Sequence, residues 1–184
     1  MKRKVALLGD SIRLIGYGNI VPSLLGEDVE VFQPEDNCRF AKYLLRGLFD
    51  WHEQLKDCEV IHFNCGHWDV CDIMGDGKLF SSDEEYIDNL ERIAKLLLKI
   101  TPKVIFATTT PVKPPYQYNR NSDIERFNAK AIQIMTELGV QVNDLYGLVK
   151  PNVEEYICED KLHLSEKGAK ICAQRVADCI KENL

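Results

Sequence analysis

Three residues of this chain have the types and spacing to do chemistry together: a serine near the start, and an aspartate and a histidine three residues apart near the end. The serine closes the run Val5-Ala6-Leu7-Leu8-Gly9-Asp10-Ser11, and the pair stands in Asp160-Lys161-Leu162-His163. A serine hydroxyl is a weak nucleophile at neutral pH and needs an adjacent base. His163 can take the Ser11 proton and return it to a leaving group, while Asp160 holds the ring in the right tautomer and stabilises the imidazolium. The order Ser, Asp, His is one of the recurrent triad orders, although the Gly-x-Ser-x-Gly elbow is absent. Taken singly, Ser11 reads as a cap on the following segment and Asp160 as a favourable charge before a helix. Their pairing gives the sharper reading its weight.

These residues need elements to position them. Lys4 to Leu8 reads as a buried strand, and 28–32, 59–63, 104–107 and 140–142 read as four more. Phe40, Leu44, Leu48, Trp51 and Leu55 have helical spacing across 37–55. Ser82 with Glu85 and Ser122 with Glu125 have capping-box spacing ahead of two longer helices, the first stopped by Pro102 and the second by Gly139. Ser165 is placed to cap a last helix with Ala169, Cys172, Val176 and Ile180 on one face. The segments 12–26 and 143–160 read as irregular. Strands alternating with helices predict a three-layer α/β/α fold, flavodoxin-like, with a five-stranded parallel sheet in one domain spanning 1–184.

In such a sheet, sites form outside the carboxyl ends of the strands. That rule selects Ser11, then Asn37-Cys38, then Asn64 to Asp69, then Thr108 to Tyr118. The position of the Asp160–His163 turn does not follow from it.

At these residues the chain resembles the SGNH, or GDSL-like, hydrolases. Gly9-Asp10-Ser11 is similar to the family's first block and Asp160-x-x-His163 to its last, so the match runs over nearly the whole sequence. The resemblance implies hydrolysis of carboxylic esters, often of acetyl or longer acyl groups on sugars or lipids, through an acyl-enzyme and without a cofactor. Short acyl or acetyl esters, O-acetylated carbohydrate among them, are the expected substrates. It also implies an oxyanion hole built from the nucleophile's N–H, a second-block glycine N–H and a third-block Asn in Gly-x-Asn-Asp. Here the third block reads Gly66-His67-Trp68-Asp69, with Trp68 in place of the Asn. The indole N–H of Trp68, the side chain of Asn64 and the peptide N–H of Cys38 are the candidate donors.

Composition narrows the rest. A chain of 184 residues with 45% hydrophobic and 28% charged residues suits one soluble domain. A net charge of −6 with no basic stripe excludes a nucleic-acid surface. The basic start Met1-Lys2-Arg3-Lys4 precedes an apolar run too short for a signal peptide, and no stretch reaches membrane-spanning length. A cytoplasmic protein acting on a small-molecule ester is expected, with no membrane partner and self-association left open. The cysteines at 38, 58, 65, 71, 158, 172 and 179 lack disulfide-framework spacing and read as free thiols. Cys65, His67, Asp69 and Cys71 lack the paired spacing of structural zinc, so no metal is expected. His52 and His62 read as structural. The loop 111–121 reads as a surface connector bordering the substrate. The rival reading is a flavodoxin-like binding module that keeps the Gly-Asp-Ser turn without its oxyanion hole.

Overall fold

The computed structural model describes residues 2–184. Its centre is a five-stranded parallel sheet of β1 (Arg3–Leu8), β2 (Val29–Phe32), β3 (Val60–Asn64), β4 (Val104–Ala107) and β5 (Gln141–Asn143), in the order β2-β1-β3-β4-β5. Alternation along the strands divides the core into two layers. Ala6, Leu8, Ile61, Phe63, Val104 and Phe106 point to one face, and Val5, Leu7, Val60, Ile105 and Ala107 to the other. The three central strands are apolar on both sides because helices cover both.

Between β1 and β2 the chain forms a π-turn at Ile12–Gly16, a 3-10 turn at Tyr17–Asn19 and the short helix α1 (Val21–Leu25). After β2 come α2 (Ala41–Asp50) and α3 (His52–Leu55), broken at Trp51 where one helix was expected across 37–55. The helices α4 (Asp83–Leu98) and α5 (Asn121–Glu137) flank β4. The expected irregular stretch after β5 contains α6 (Leu145–Val149), a 3-10 turn and α7 (Val153–Tyr156), and α8 (Glu166–Lys181) ends the chain. The residues of α2, α4 and α5 fill the first layer, and those of α1, α6 and α8 the second.

Two of the three expected caps form. Ser82 accepts from the Glu85 amide and Ser165 from the Gly168 amide. Ser122 is not a cap: α5 starts two residues earlier than that cap implies, at Asn121, whose side-chain amide pairs with both the N–H and the carbonyl of Val112 at 2.9 Å. That pairing closes the base of the 112–121 loop. No helix of the described residues is long and apolar enough to cross a membrane.

In the order 2-1-3-4-5 the strand sequence reverses direction between β1 and β3, and the crevice beyond their carboxyl ends is where such sheets hold ligands. Ser11 follows β1 there, and Gly66 to Asp69 follow β3.

Candidate active site

Ser11 is fixed by a buried framework. The Asp10 carboxylate accepts from the Ile12 amide at 2.9 Å and from Asn64 Nδ2 at 2.8 Å, and the Asn64 Oδ1 accepts from the Tyr17 hydroxyl at 2.6 Å. Arg13 is buried, and its guanidinium donates to the carbonyls of Pro34 and Asp36 at 2.9 Å and of Gly9 at 3.1 Å. These bonds join the first turn to the loop after β2. A Cβ on Gly9 would lie 2.1 Å from Asn64 Oδ1, so the glycine of Gly-Asp-Ser is required by the side chain beside it. Burial pushes the Asp10 carboxyl up to about 6, against the opposing pull of its Asn64 and Ile12 hydrogen bonds.

The aspartate–histidine turn is organised by itself. Asp160 Oδ1 accepts from the amides of Leu162 at 3.0 Å and His163 at 2.9 Å, and Oδ2 meets His163 Nδ1 at 2.7 Å. Lys161 takes the left-handed conformation, φ 69°, which bends the chain so that both residues face the same way. Partial burial raises the Asp160 carboxyl, but the two amides and the His163 ring outweigh it, leaving the group below the ordinary aspartate value. The turn is held to the end of α7 by an isolated bridge between Ile157 and Leu164 and by the Cys158 amide on the His163 carbonyl at 2.7 Å.

The two regions meet at one bond: His163 Nε2 lies 2.9 Å from Ser11 Oγ. Ser11, His163 and Asp160 thus form a continuous hydrogen-bonded line. Its geometry is that of a hydroxyl, a base and an orienting acid.

The three expected oxyanion donors fare differently. The Cys38 N–H donates to the Gly9 carbonyl at 3.1 Å, and its fully buried thiol accepts from the Gly9 amide at 3.3 Å. Cys38 is a strut between blocks, and the expectation that its N–H is free is corrected. Asn64 is likewise engaged at both ends of its amide by Asp10 and Tyr17, and is turned into the framework. Trp68 alone of the three lines the same cavity as Ser11.

The rest of the third block is structural. A Cβ on Gly66, at φ 149°, would fall 2.1 Å from Thr109 Oγ1. Asp69 is buried, accepting from Ser81 Oγ at 2.9 Å and from the Ala41 amide at the start of α2. Burial raises its carboxyl to about 7. His67 is also buried, with Nε2 3.0 Å from Thr110 Oγ1, and burial lowers its pKa to about 3. His62 is buried and lowered to about 3 for the same reason, with Nε2 at 3.2 Å from Asn143 Nδ2, whereas His52 is exposed. The seven cysteines are unpaired thiols.

Sequence reasoning missed Arg13 and Tyr17, which hold the turn of Ser11, and Ile73 and Leu162, which help to wall the cavity beside it; Asn119, on the same wall, belongs to the 111–121 loop expected to border the substrate. The position of Arg13, two residues after Ser11, carries no sign that the arginine folds back onto backbone carbonyls. Only the side-chain contacts reveal it.

No family model and no curated protein sequence matches the chain. Solved structures do. A lipase/acylhydrolase from Enterococcus faecalis superposes with a TM-score of 0.80 at 22% identity, covering 99% of this chain and 97% of that one. The acetyl xylan esterase AlAXEase gives 0.81 at 17% identity, covering 96% and 99%. A GDSL-like lipase from Bacteroides thetaiotaomicron gives 0.75 at 18% identity, covering 99% and 89%. The fold read from the strand and helix pattern is therefore the one these hydrolases share.

Proposed function

We propose that this chain is an SGNH-type serine hydrolase of carboxylic esters, with Ser11 as nucleophile, His163 as general base and acid, and Asp160 as the orienting acid. The observation that carries the reading is the hydrogen-bonded line from Ser11 Oγ through both nitrogens of His163 to Asp160, at 2.9 and 2.7 Å. In the first half-reaction Ser11 Oγ attacks the ester carbonyl as its proton passes to His163 Nε2. Asp160 stabilises the imidazolium through Nδ1–H. When the tetrahedral adduct collapses, the C–O bond to the alcohol breaks and His163 returns the proton to the departing oxygen. Water, deprotonated by the same ring, then attacks the acyl-Ser11 ester and releases the acid.

The oxyanion needs donors, and removing one typically costs about 3 kcal/mol of transition-state stabilisation. The N–H of Ser11 is the first in this proposal. The indole N–H of Trp68, on the cavity wall, takes the part of the missing third-block asparagine. The test is hydrolysis of p-nitrophenyl esters by the purified protein, together with labelling by a fluorophosphonate. Both are expected, and both are expected to vanish in Ser11→Ala.

A second reading, a binding module without turnover, is favoured by one observation: Cys38 and Asn64 are committed elsewhere. Folded protein that neither labels nor hydrolyses any ester would support it. The fold of the esterase and lipase structures supports the first reading.

A further inference from the structure

Beside Ser11 lies a cavity of about 180 Å³. Its walls carry Trp68, Cys71, Ile73, Tyr116, Tyr118 and Leu162, with Asn119 and His67 at its inner side. No lysine, arginine, aspartate or glutamate side chain lines it. The inner polar groups serve the wall itself, since Asn119 Nδ2 donates to the His67 carbonyl at 2.8 Å. Two loops form the walls and are tied together where the Asp72 amide donates to the Tyr118 carbonyl at 2.8 Å. The 71–80 loop is closed on itself by the Phe80 amide on the Cys71 carbonyl and by the Asp76 and Gly77 amides on the Asp72 carboxylate. The space is thus built by ordered segments.

A second, polar groove runs on the other side of the tyrosines, lined by Pro115, Gln117, Asp160 and Lys161 along with Tyr116 and Tyr118. The two tyrosine rings stand edge to face, 5.7 Å apart, between the two spaces. Where the halves of an ester go follows from the proton transfer. His163 must reach the alcohol oxygen, so the alcohol leaves over the His163–Asp160 turn, on the side of the polar groove. The apolar cavity touches Ser11 but neither of those residues.

We propose that this cavity receives the acyl group, and that the substrate is a neutral ester whose acyl part is apolar and considerably larger than acetyl, of roughly five to eight carbons or a single aromatic ring. A cavity of about 150 Å³ lined by aliphatic and aromatic side chains accommodates benzene. An acetyl group would leave most of this one unfilled, and each added methylene that enters it removes apolar surface from water. The absence of charge on the walls disfavours an ionised acyl chain, which would lose its hydration without a partner. The inference rests on the ester-hydrolase reading above, and within the acyl range that the family resemblance implies it replaces the preference for acetyl.

The experiment is a kcat/KM series on p-nitrophenyl esters from acetyl to decanoyl, with p-nitrophenyl benzoate. Burial at ordinary apolar transfer values is worth about fourfold per methylene, so hexanoyl is expected to exceed acetyl by at least roughly tenfold, with a fall once the chain outgrows the cavity. Ile73 is 43% exposed at the mouth, so Ile73→Asp places a charge on the wall without opening the core. The hexanoyl-to-acetyl ratio is expected to drop toward one in that variant. A parent series that is flat or highest at acetyl overturns the acyl-cavity assignment and leaves ester hydrolysis standing. Folded parent protein that hydrolyses no member and takes up no fluorophosphonate overturns both.

Discussion

The two halves of the candidate triad are built by opposite means. Ser11 sits on a buried frame in which Asp10, Arg13, Tyr17 and Asn64 are all at most 4% exposed; Asn64 binds both Asp10 and Tyr17 across the fold, and Arg13 binds the carbonyls of Gly9, Pro34 and Asp36. Asp160 and His163 sit on a surface turn with side chains 51% and 26% exposed, oriented by bonds within four residues of sequence. The first half borrows its geometry from the core, so errors there cost stability. The second half carries its geometry with it, so errors there cost only the chemistry. Variants on the two sides are therefore expected to separate activity from stability.

The largest effects fall on the two atoms that share the 2.9 Å bond. Ser11→Ala and His163→Ala are each expected to lower kcat/KM for a p-nitrophenyl ester by at least about 10⁴-fold, as when one member of such a unit is removed elsewhere. Urea midpoints should hardly move. Retention of more than a hundredth of the parent rate in either variant would remove that residue from the mechanism. Asp160→Ala should do less, about 10²- to 10³-fold, because a half-exposed carboxylate leaves room for water to take over part of the imidazolium stabilisation. A loss equal to that of Ser11→Ala would contradict the contrast between the halves.

On the buried side the expected order inverts. Asn64→Ala leaves the Tyr17 hydroxyl without its acceptor and strips Asp10 of a donor while both stay enclosed. Unpartnered buried polar groups cost about 1–3 kcal/mol each. A loss of about 2–4 kcal/mol in urea unfolding is expected, against less than about 1 kcal/mol for Asp160→Ala. Equal destabilisation by both would break the comparison. Gly9→Ala tests the same frame by intrusion, since its methyl would displace the Asn64 amide.

The same contrast explains what was legible in the sequence. Short continuous apolar strands, helical stripes and two serine caps are local patterns, and they yielded the parallel sheet with strand limits within a residue or two. Gly9-Asp10-Ser11 and Asp160-x-x-His163 are local as well, and the geometry joins them. The donors could not be read that way. Whether the N–H of Cys38 or the amide of Asn64 is free depends on the Gly9 carbonyl and the Tyr17 hydroxyl, which are brought near only by folding. The break at Trp51 had a local trace, in that the Trp51 ring lies where a Cβ on Gly47 would be, within 2.5 Å. Gly47 is thus less a weakness of α2 than the space its terminal ring requires.

The smallest expected effect concerns acid stability, and it arises from His67 on the buried side. Burial holds this ring neutral down to about pH 3 in the folded chain, whereas an unperturbed histidine takes up its proton near 6.5. Between those values the unfolded chain binds more protons, so this group makes the fold less stable as pH falls below 6.5. The slope approaches about 1.4 kcal/mol per pH unit. His62 adds a contribution of the same sign, while Asp10 and Asp69, raised to about 6 and 7, work in the opposite direction as pH falls through their range. Those three are common to parent and variant, so His67→Leu isolates one share. Its absolute stability at pH 7 should drop, since Thr110 loses a partner. Between pH 6.5 and 4.5, however, it should lose about 2 kcal/mol less than the parent in urea unfolding. Parallel pH profiles for the two proteins would mean that His67 accepts its proton in the folded state, and that this wall of the site is wetter than its burial implies.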